Sequence, residues 1–275
     1  MKKIIYLLLF WAAPFLSNAQ YIYVPETSPP PASQYDHIGV KSGYTKIFQD
    51  EFDGSTLSST VWNFDTAPHG NVILSNGANH ISFQPNDMNN YNNSGVNKSI
   101  KLDLVKTNPV IIGKDTFYFE GVQFKTNRNL GYGYYETRVK YDYGKGAWPG
   151  FWLYGHDNLY NNAYSKNYSE IDIFENFPES ADSRIMSENV HVFNFNFSSG
   201  DSTWNFVSLG QAEGPFGTFR YYTGDVDLSS EYHIYGMEFR PDKITWYLDG
   251  TEIRNTTRQD IIQRVLQKMW ITFDM

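Results

Sequence analysis

The chain has 275 residues, no cysteine, 22 Lys and Arg against 30 Asp and Glu, and a net charge of −8. The acidic balance argues against nucleic acid and anionic membrane surfaces as partners, and the missing thiols exclude a disulfide scaffold, so burial has to hold the fold. Aromatic residues reach 17%, with 21 Tyr and 7 Trp; such rings fill cores and also line sugar clefts, where the apolar face of a pyranose stacks on them.

In chain order, MKKIIYLLLFWAAPFLSNA (1–19) sets Lys2 and Lys3 ahead of an apolar run and ends on small residues at Ser17 and Ala19. That is the layout of a signal peptide cleaved after Ala19, which predicts a secreted or periplasmic protein. The run falls short of the roughly 20 apolar residues a span needs, and no later segment reaches that length, so no membrane insertion is expected. Residues 20–42 are Pro-rich and read as an extended tether, leaving 43–275 as the folded domain. Within it, short runs of period two follow one another: KIFQDEF (46–52), SIKLDLVKT (99–107), FYFEGVQFKT (117–126), GYYETRVKYDY (133–143), GFWLYG (150–155), NVHVFNFNF (189–197), YHIYGMEF (232–239) and KITWYLDGTEI (243–253). Only IIQRVLQK (261–268) carries a helical pattern. Strands without intervening helices predict one all-β domain, an antiparallel sandwich or barrel.

The stretch SEIDIFEN (169–176) concentrates the chemistry. On a strand Glu170 and Asp172 share a face, and Ile171 and Ile173 share the other. The next acidic-face position is Phe174, and the third carboxylate, Glu175, arrives one residue late. A β-bulge would absorb the extra residue and return Glu175 to the acidic face. Glu170 and Glu175 would then sit with Cα atoms ~13 Å apart. Side chains leaning toward each other could bring the carboxyls to about 5 Å, the spacing of retaining rather than inverting glycoside hydrolysis. Three close carboxylates raise one another's pKa, which suits a site needing one protonated and one ionised group. A solvated acidic face and a calcium site are the competing readings of these residues.

The motif E-I-D-I-F-E resembles the bulged E-x-D-x-x-E signature of glycoside hydrolase family 16. FQDEFDGSTLSSTVWN (48–63), GYGYYETRVKYDYGKGAWPGFWLYG (131–155) and YHIYGMEFRPDKITWYLDGTEI (232–253) resemble that family's other blocks, in the same order. The resemblance implies a concanavalin-like β-jelly-roll of two curved antiparallel sheets and a retaining, endo-acting hydrolase. Glu170 would be the nucleophile, Glu175 the general acid and base, and Asp172 the partner that tunes them. Trp148, Trp152 and His191 would bind substrate, Trp148 and Trp152 sharing a face if their strand is regular. No metal or cofactor is required for this chemistry, although a structural calcium remote from the cleft would suit the family.

Three departures qualify the match. Gly150 stands where the family usually has Ala, which is expected to matter little. YNNAYSKNYS (160–169) lacks the W-P-x-x-G that precedes the motif in many β-1,3-glucanases. The chain ends at WITFDM, where members continue into a final strand, so a jelly-roll without its last strand is one expectation. The expected partner is a polysaccharide, either a β-1,3- or mixed-linkage glucan or, next, an agar- or porphyran-type galactan. The alternatives from other classes are a catalytically silent sugar-binding jelly-roll and a calcium-stabilised structural module. Nothing in the sequence specifies an oligomeric state.

Overall fold

A computed structural model describes residues 43–52, 54–65, 72–74, 80–85, 98–142, 144, 146–157, 165–176, 182–198, 201–208, 219–223 and 226–275. The expected signal peptide and Pro-rich segment lie outside the described residues. Among those described, the strands in chain order are β1 (Trp62–Asp65), β2 (Val72–Leu74), β3 (Ile81–Pro85), β4 (Lys98–Leu102), β5 (Val105–Ile112), β6 (Asp115–Gly121), β7 (Gln123–Thr126), β8 (Gly133–Val139) and β9 (Gly150–Asp157). They continue with β10 (Ser165–Glu175), β11 (Ile185–Ser198), β12 (Asp201–Ser208), β13 (Phe219–Tyr222), β14 (His233–Phe239), β15 (Ile244–Leu248), β16 (Thr251–Thr256) and β17 (Trp270–Asp274), with one helical turn, α1 (Gln259–Ile262). An eight-stranded sheet runs β1-β7-β17-β9-β10-β11-β12, with β13 also on β11, and a four-stranded sheet runs β16-β15-β14-β8. The pairs within these two sheets are antiparallel.

These two sheets close on one core. Phe151, Leu153, Ile171, Ile173, Phe174, Val190, Val192 and Ile271 from the large sheet pack with Tyr235, Met237, Phe239, Ile244, Trp246 and Ile253 from the small one. The fold is an all-β jelly-roll sandwich. On the core side, β10 departs from period two, because Ile173 and Phe174 are consecutive and both buried. The ladder shows the cause: Asp172 faces Asn189 on β11, and Glu175 faces Ser187, three residues against two. On β9 the matching shift falls between Asp172 and Phe174. The predicted bulge is therefore present. Phe174 is clamped beneath it, stacked on Tyr235 at 4.3 Å and on Tyr141 at 5.8 Å. Across the core, the Trp246 indole N–H donates to the Asp172 carbonyl at 2.8 Å, which ties the bulge to the opposite sheet.

Several sequence expectations need correction. KIFQDEF is not a strand. Asp50 accepts from the Phe52 backbone N–H and from the Trp62 indole, and Phe52 takes a positive φ of 52°, so side-chain hydrogen bonding holds this segment as a turn. SIKLDLVKT breaks after Leu102, where the Asp103 N–H donates to the His80 carbonyl, and its halves join different sheets. The run from Gly133 ends at Val139 rather than 143. The helix covers Gln259–Ile262, not 261–268. Its ladder tightens to i→i−3 bonds at Arg264 and Val265, and the Leu266 N–H leaves it for the Ser169 hydroxyl. The apolar spacing of 261–268 correctly marks burial at Ile261, Ile262 and Val265. KITWYLDGTEI is a hairpin, β15–β16, turned by Asp249 and Gly250 at φ 49° and 76°, the two positive angles of a type I′ loop.

Candidate active site

Directly paired residues share a face, so the ladders β17-β9-β10-β11 define three rows on the side of the large sheet away from the core. One row is Trp270, Tyr154, Glu170, His191; the next is Thr272, Trp152, Asp172, Asn189; the third is Asp274, Gly150, Glu175, Ser187. The bulge places Glu175 in this third row. All three predicted carboxylates thus meet on one surface, as do Trp152 and His191.

Asp172 is the buried centre, 1% exposed, while the side chains of Glu170 and His191 keep 25% and 19% of their surface. His191 Nε2 lies 3.2 Å from Asp172 Oδ2 and 3.9 Å from Glu170 Oε1. Trp148 is not on β9 but just before it, half exposed, and its indole N–H donates to Glu175 Oε1 at 3.0 Å. The two tryptophans therefore reach the site in different ways. Trp152 stands in the strand row beside Asp172, and Trp148 reaches in from the flank onto Glu175.

Electrostatics follow from burial and crowding. Desolvation, then the charge of Asp172, pushes Glu170 well above the ordinary carboxylate range, and the same two causes raise Glu175 against the lowering pull of the Trp148 bond. Desolvation and then the charge of Asp274 push Asp172 up to about 8, although hydrogen bonds to Glu175 and Glu170 hold it down. A carboxyl set of this kind retains a proton at neutral pH, the requirement for a general acid. Glu170, Asp172 and His191 offer donor atoms within 4.8 Å of one another, compact enough for a cation.

Sequence reasoning missed the rest of this face. Tyr154 packs edge-on to Trp152 at 5.6 Å and stacks on Trp270 at 6.5 Å; His156 and Tyr168 complete the cluster. Lys125 lies 5.2 Å from the Trp270 ring centroid and 3.5 Å from Asp65. The signal was parity: Tyr154 and His156 alternate with Trp152, and Tyr168 with Glu170. Asp274 was missed as well, and with it the meaning of Gly150. A Cβ at 150 would lie 2.5 Å from Asp274 Oδ1 and 3.3 Å from Trp152 Cδ1, so Ala here would displace the Asp274 carboxylate. Part of the segment YNNAYSKNYS, residues 160–164, lies outside the described residues. A cavity of ≈ 290 Å³ lies elsewhere, bounded by Tyr44–Phe52, β8 and the core-facing rings Phe151 and Phe273, and holds none of the three motif carboxylates. Among the described residues, no helix is long and apolar enough to cross a membrane.

Comparison with known proteins matches residues 78–273 to the family described as Glycosyl hydrolases family 16. Glucan endo-1,3-beta-glucosidase A1 of Niallia circulans is 26% identical over 88% of this chain, and kappa-carrageenase of Pseudoalteromonas carrageenovora is 29% identical over 76%. The aligned regions span 35% and 51% of those two proteins. Among solved structures, the endo-beta-1,3-glucanase of Pyrococcus furiosus has a TM-score of 0.55 at 20% identity, covering 83% of this chain and 82% of that one. Porphyranase B of Zobellia galactanivorans has a TM-score of 0.54 at 17% identity, covering 82% and 77%. These likenesses show the fold.

Proposed function

Because this chain belongs to glycosyl hydrolase family 16, we propose that it is a retaining, endo-acting β-glycosidase that works outside the cytoplasm on a β-linked polysaccharide. A β-1,3- or mixed-linkage glucan is the leading substrate, and an agar- or porphyran-type galactan the next. The observation that carries the reading is the meeting of three pKa-raised carboxyls on one face of β10 through the bulge. The leading glucan assignment is supported by the relative that aligns over 88% of the chain, a glucan endo-1,3-beta-glucosidase. A silent sugar-binding protein would bear the desolvation of this carboxylate cluster with no chemistry to offset it.

In the first step the ionised Glu170 attacks the anomeric carbon while Glu175 gives its proton to the departing glycosidic oxygen, leaving the sugar esterified to Glu170. In the second, Glu175, now a carboxylate, takes a proton from water as that water displaces Glu170. Asp172 hydrogen-bonds to both and balances charge as the proton leaves and returns. Trp148 fixes the Glu175 carboxyl, Trp152 offers a ring to the sugar beside the scissile bond, and His191 steadies Asp172 and faces the same sugar. No cofactor enters. Export would follow from the N-terminal leader, and a structural calcium would lie away from this face.

A reducing-sugar screen on laminarin, mixed-linkage glucan, agar, porphyran and carrageenan, with sizing of products, tests substrate and endo action. Proton NMR of the first product tests the stereochemistry. The expected result is mid-chain cleavage of a glucan with the β-anomer appearing first. Inactivity on all five, or the α-anomer first, contradicts the reading.

A further inference from the structure

The third row of the site holds a carboxylate outside the E-x-D-x-x-E motif. Asp274 on β17 and Glu175 on β10 both pair with Gly150 on the strand between them, so they flank it on the same face. Strands lie about 4.8 Å apart, and an ordinary residue on the middle strand would stand as a wall between the two. Gly150 removes that wall. The Asp274 carboxylate leans into the vacated space, as the 2.5 Å approach of Oδ1 to the site of a missing Cβ shows. The main chain fixes this placement from both sides, since β17 is laddered to β7 as well as to β9 and the Met275 N–H donates to the Val122 carbonyl at 3.0 Å.

We propose that Asp274 is a fourth carboxylate of the active site, a positioning residue that faces Glu175 and Asp172 across the gap left by Gly150 and keeps the catalytic proton in place. This rests on the hydrolytic reading above and deepens it. The charge of Asp274 is among the causes that raise Glu170, Asp172 and Glu175, and it is the foremost charge acting on Asp172. The other groups around it are few. On β7 it faces Gln123, and Lys125 nearby is paired with Asp65 of β1. On β9 it pairs with Gly150, whose absent Cβ site Trp152 also borders, and Trp148 lies just before that strand. Beyond these lie the three motif carboxylates on β10 and His191 on β11. Glu188, behind Asp172 on the core side, lies 3.7 Å from Arg254, and both are buried. Asp274 is thus a negative charge beside Glu175 and Asp172 that the motif does not supply.

The test uses the full chain and the polysaccharide that the wild type cleaves. Asp274→Asn keeps the shape and removes the charge. Without that charge Glu175 loses its proton, and Glu170 gains its charge, at lower pH. Both limbs of the kcat/KM profile should therefore move to lower pH, each unit of displacement reading as about a tenfold lower kcat/KM on the basic limb. A merely structural loss would lower the curve without moving its limbs together. Gly150→Ala, which retains Asp274 but displaces its carboxylate, should move the limbs in the same direction, and in an Asp274→Ala background it should no longer do so. Independently of turnover, the ¹³C resonance of the Glu175 carboxyl, assigned by its loss in Glu175→Gln, should titrate at lower pH in Asp274→Asn than in wild type. Coincident titrations of that resonance in the two proteins would overturn the proposal. A wild type that cleaves no polysaccharide would instead refute the hydrolytic reading, and the NMR titration would still judge Asp274.

Discussion

Deleting Ile173 converts the motif to Glu-Ile-Asp-Phe-Glu, in which acidic and apolar residues alternate without interruption. In the native strand Phe174 faces Phe151, Glu175 faces Gly150 on one side, and Glu175 faces Ser187 on the other. Each of these pairs is one residue out of step with Asp172 facing Trp152 and Asn189, so removing one residue brings both ladders into a single register. All three carboxylates should stay on the acidic face, with Phe174 still inward. The loss is one fully buried aliphatic side chain, since Ile173 is 1% exposed. That costs about 2–5 kcal/mol, as it does in Ile173→Ala, which keeps the bulge. The indole bond from Trp246 to the Asp172 carbonyl, about 1 kcal/mol, is exchanged for a regular ladder bond. Against a domain stability of about 5–15 kcal/mol, both variants should fold. Urea melts should place them within about 1 kcal/mol of each other, and initial rates on polysaccharide should agree within about tenfold, or about 1.4 kcal/mol of transition-state stabilisation. If the deletion variant melts like Ile173→Ala yet is slower by about a thousandfold, the bulge does more than return Glu175 to its face, and the reasoning fails.

Trp152→Ala should weaken substrate binding by about 1–3 kcal/mol, by analogy with base–aromatic stacking, and thermal melts should show less than the roughly 3–5 kcal/mol expected of a core tryptophan. Trp148→Phe removes the indole bond that favours ionised Glu175. Glu175 then holds its proton to higher pH, so the basic limb of the rate profile should move up, opposite in sense to Asp274→Asn. Asp172, pushed up in the fold to about 8 from its ordinary 3.8, contributes its full stability only below that lower value. Urea melts should therefore show wild type losing stability relative to Asp172→Asn as pH rises between those limits, and parallel curves would contradict the buried-acid reading.

The site's local part was legible in the sequence because it lies within one strand. Parity put Glu170 and Asp172 together, and the single misplaced apolar residue, Phe174, demanded the bulge that the ladders show. The D-G turn was equally local, since Asp249 and Gly250 alone supply the two positive φ angles. What the sequence hid depends on distant pairing. Asp274 reaches the site only because β17 inserts between β7 and β9, and nothing near residue 274 announces that neighbour. The trace it left was Gly150, where Ala would be usual, whose missing side chain has meaning only once Asp274 lies beside it. KIFQDEF misled for a different reason: it alternates like a strand, but Asp50 captures a backbone N–H and an indole and turns the chain.

The measurement closest to the central claim is turnover by Glu175→Ala on two substrates. Polysaccharide has an alkoxide leaving group that needs the proton of Glu175, whereas an aryl glycoside with a good leaving group does not. The variant should lose nearly all polysaccharide cleavage, form the glycosyl ester on Glu170 from the aryl glycoside, and regain turnover with azide, which attacks without base assistance. Glu170→Ala, lacking the nucleophile, should not follow that route. Polysaccharide cleavage by Glu175→Ala at near the wild-type rate would show that the proton comes from elsewhere and that Glu175 is not the general acid.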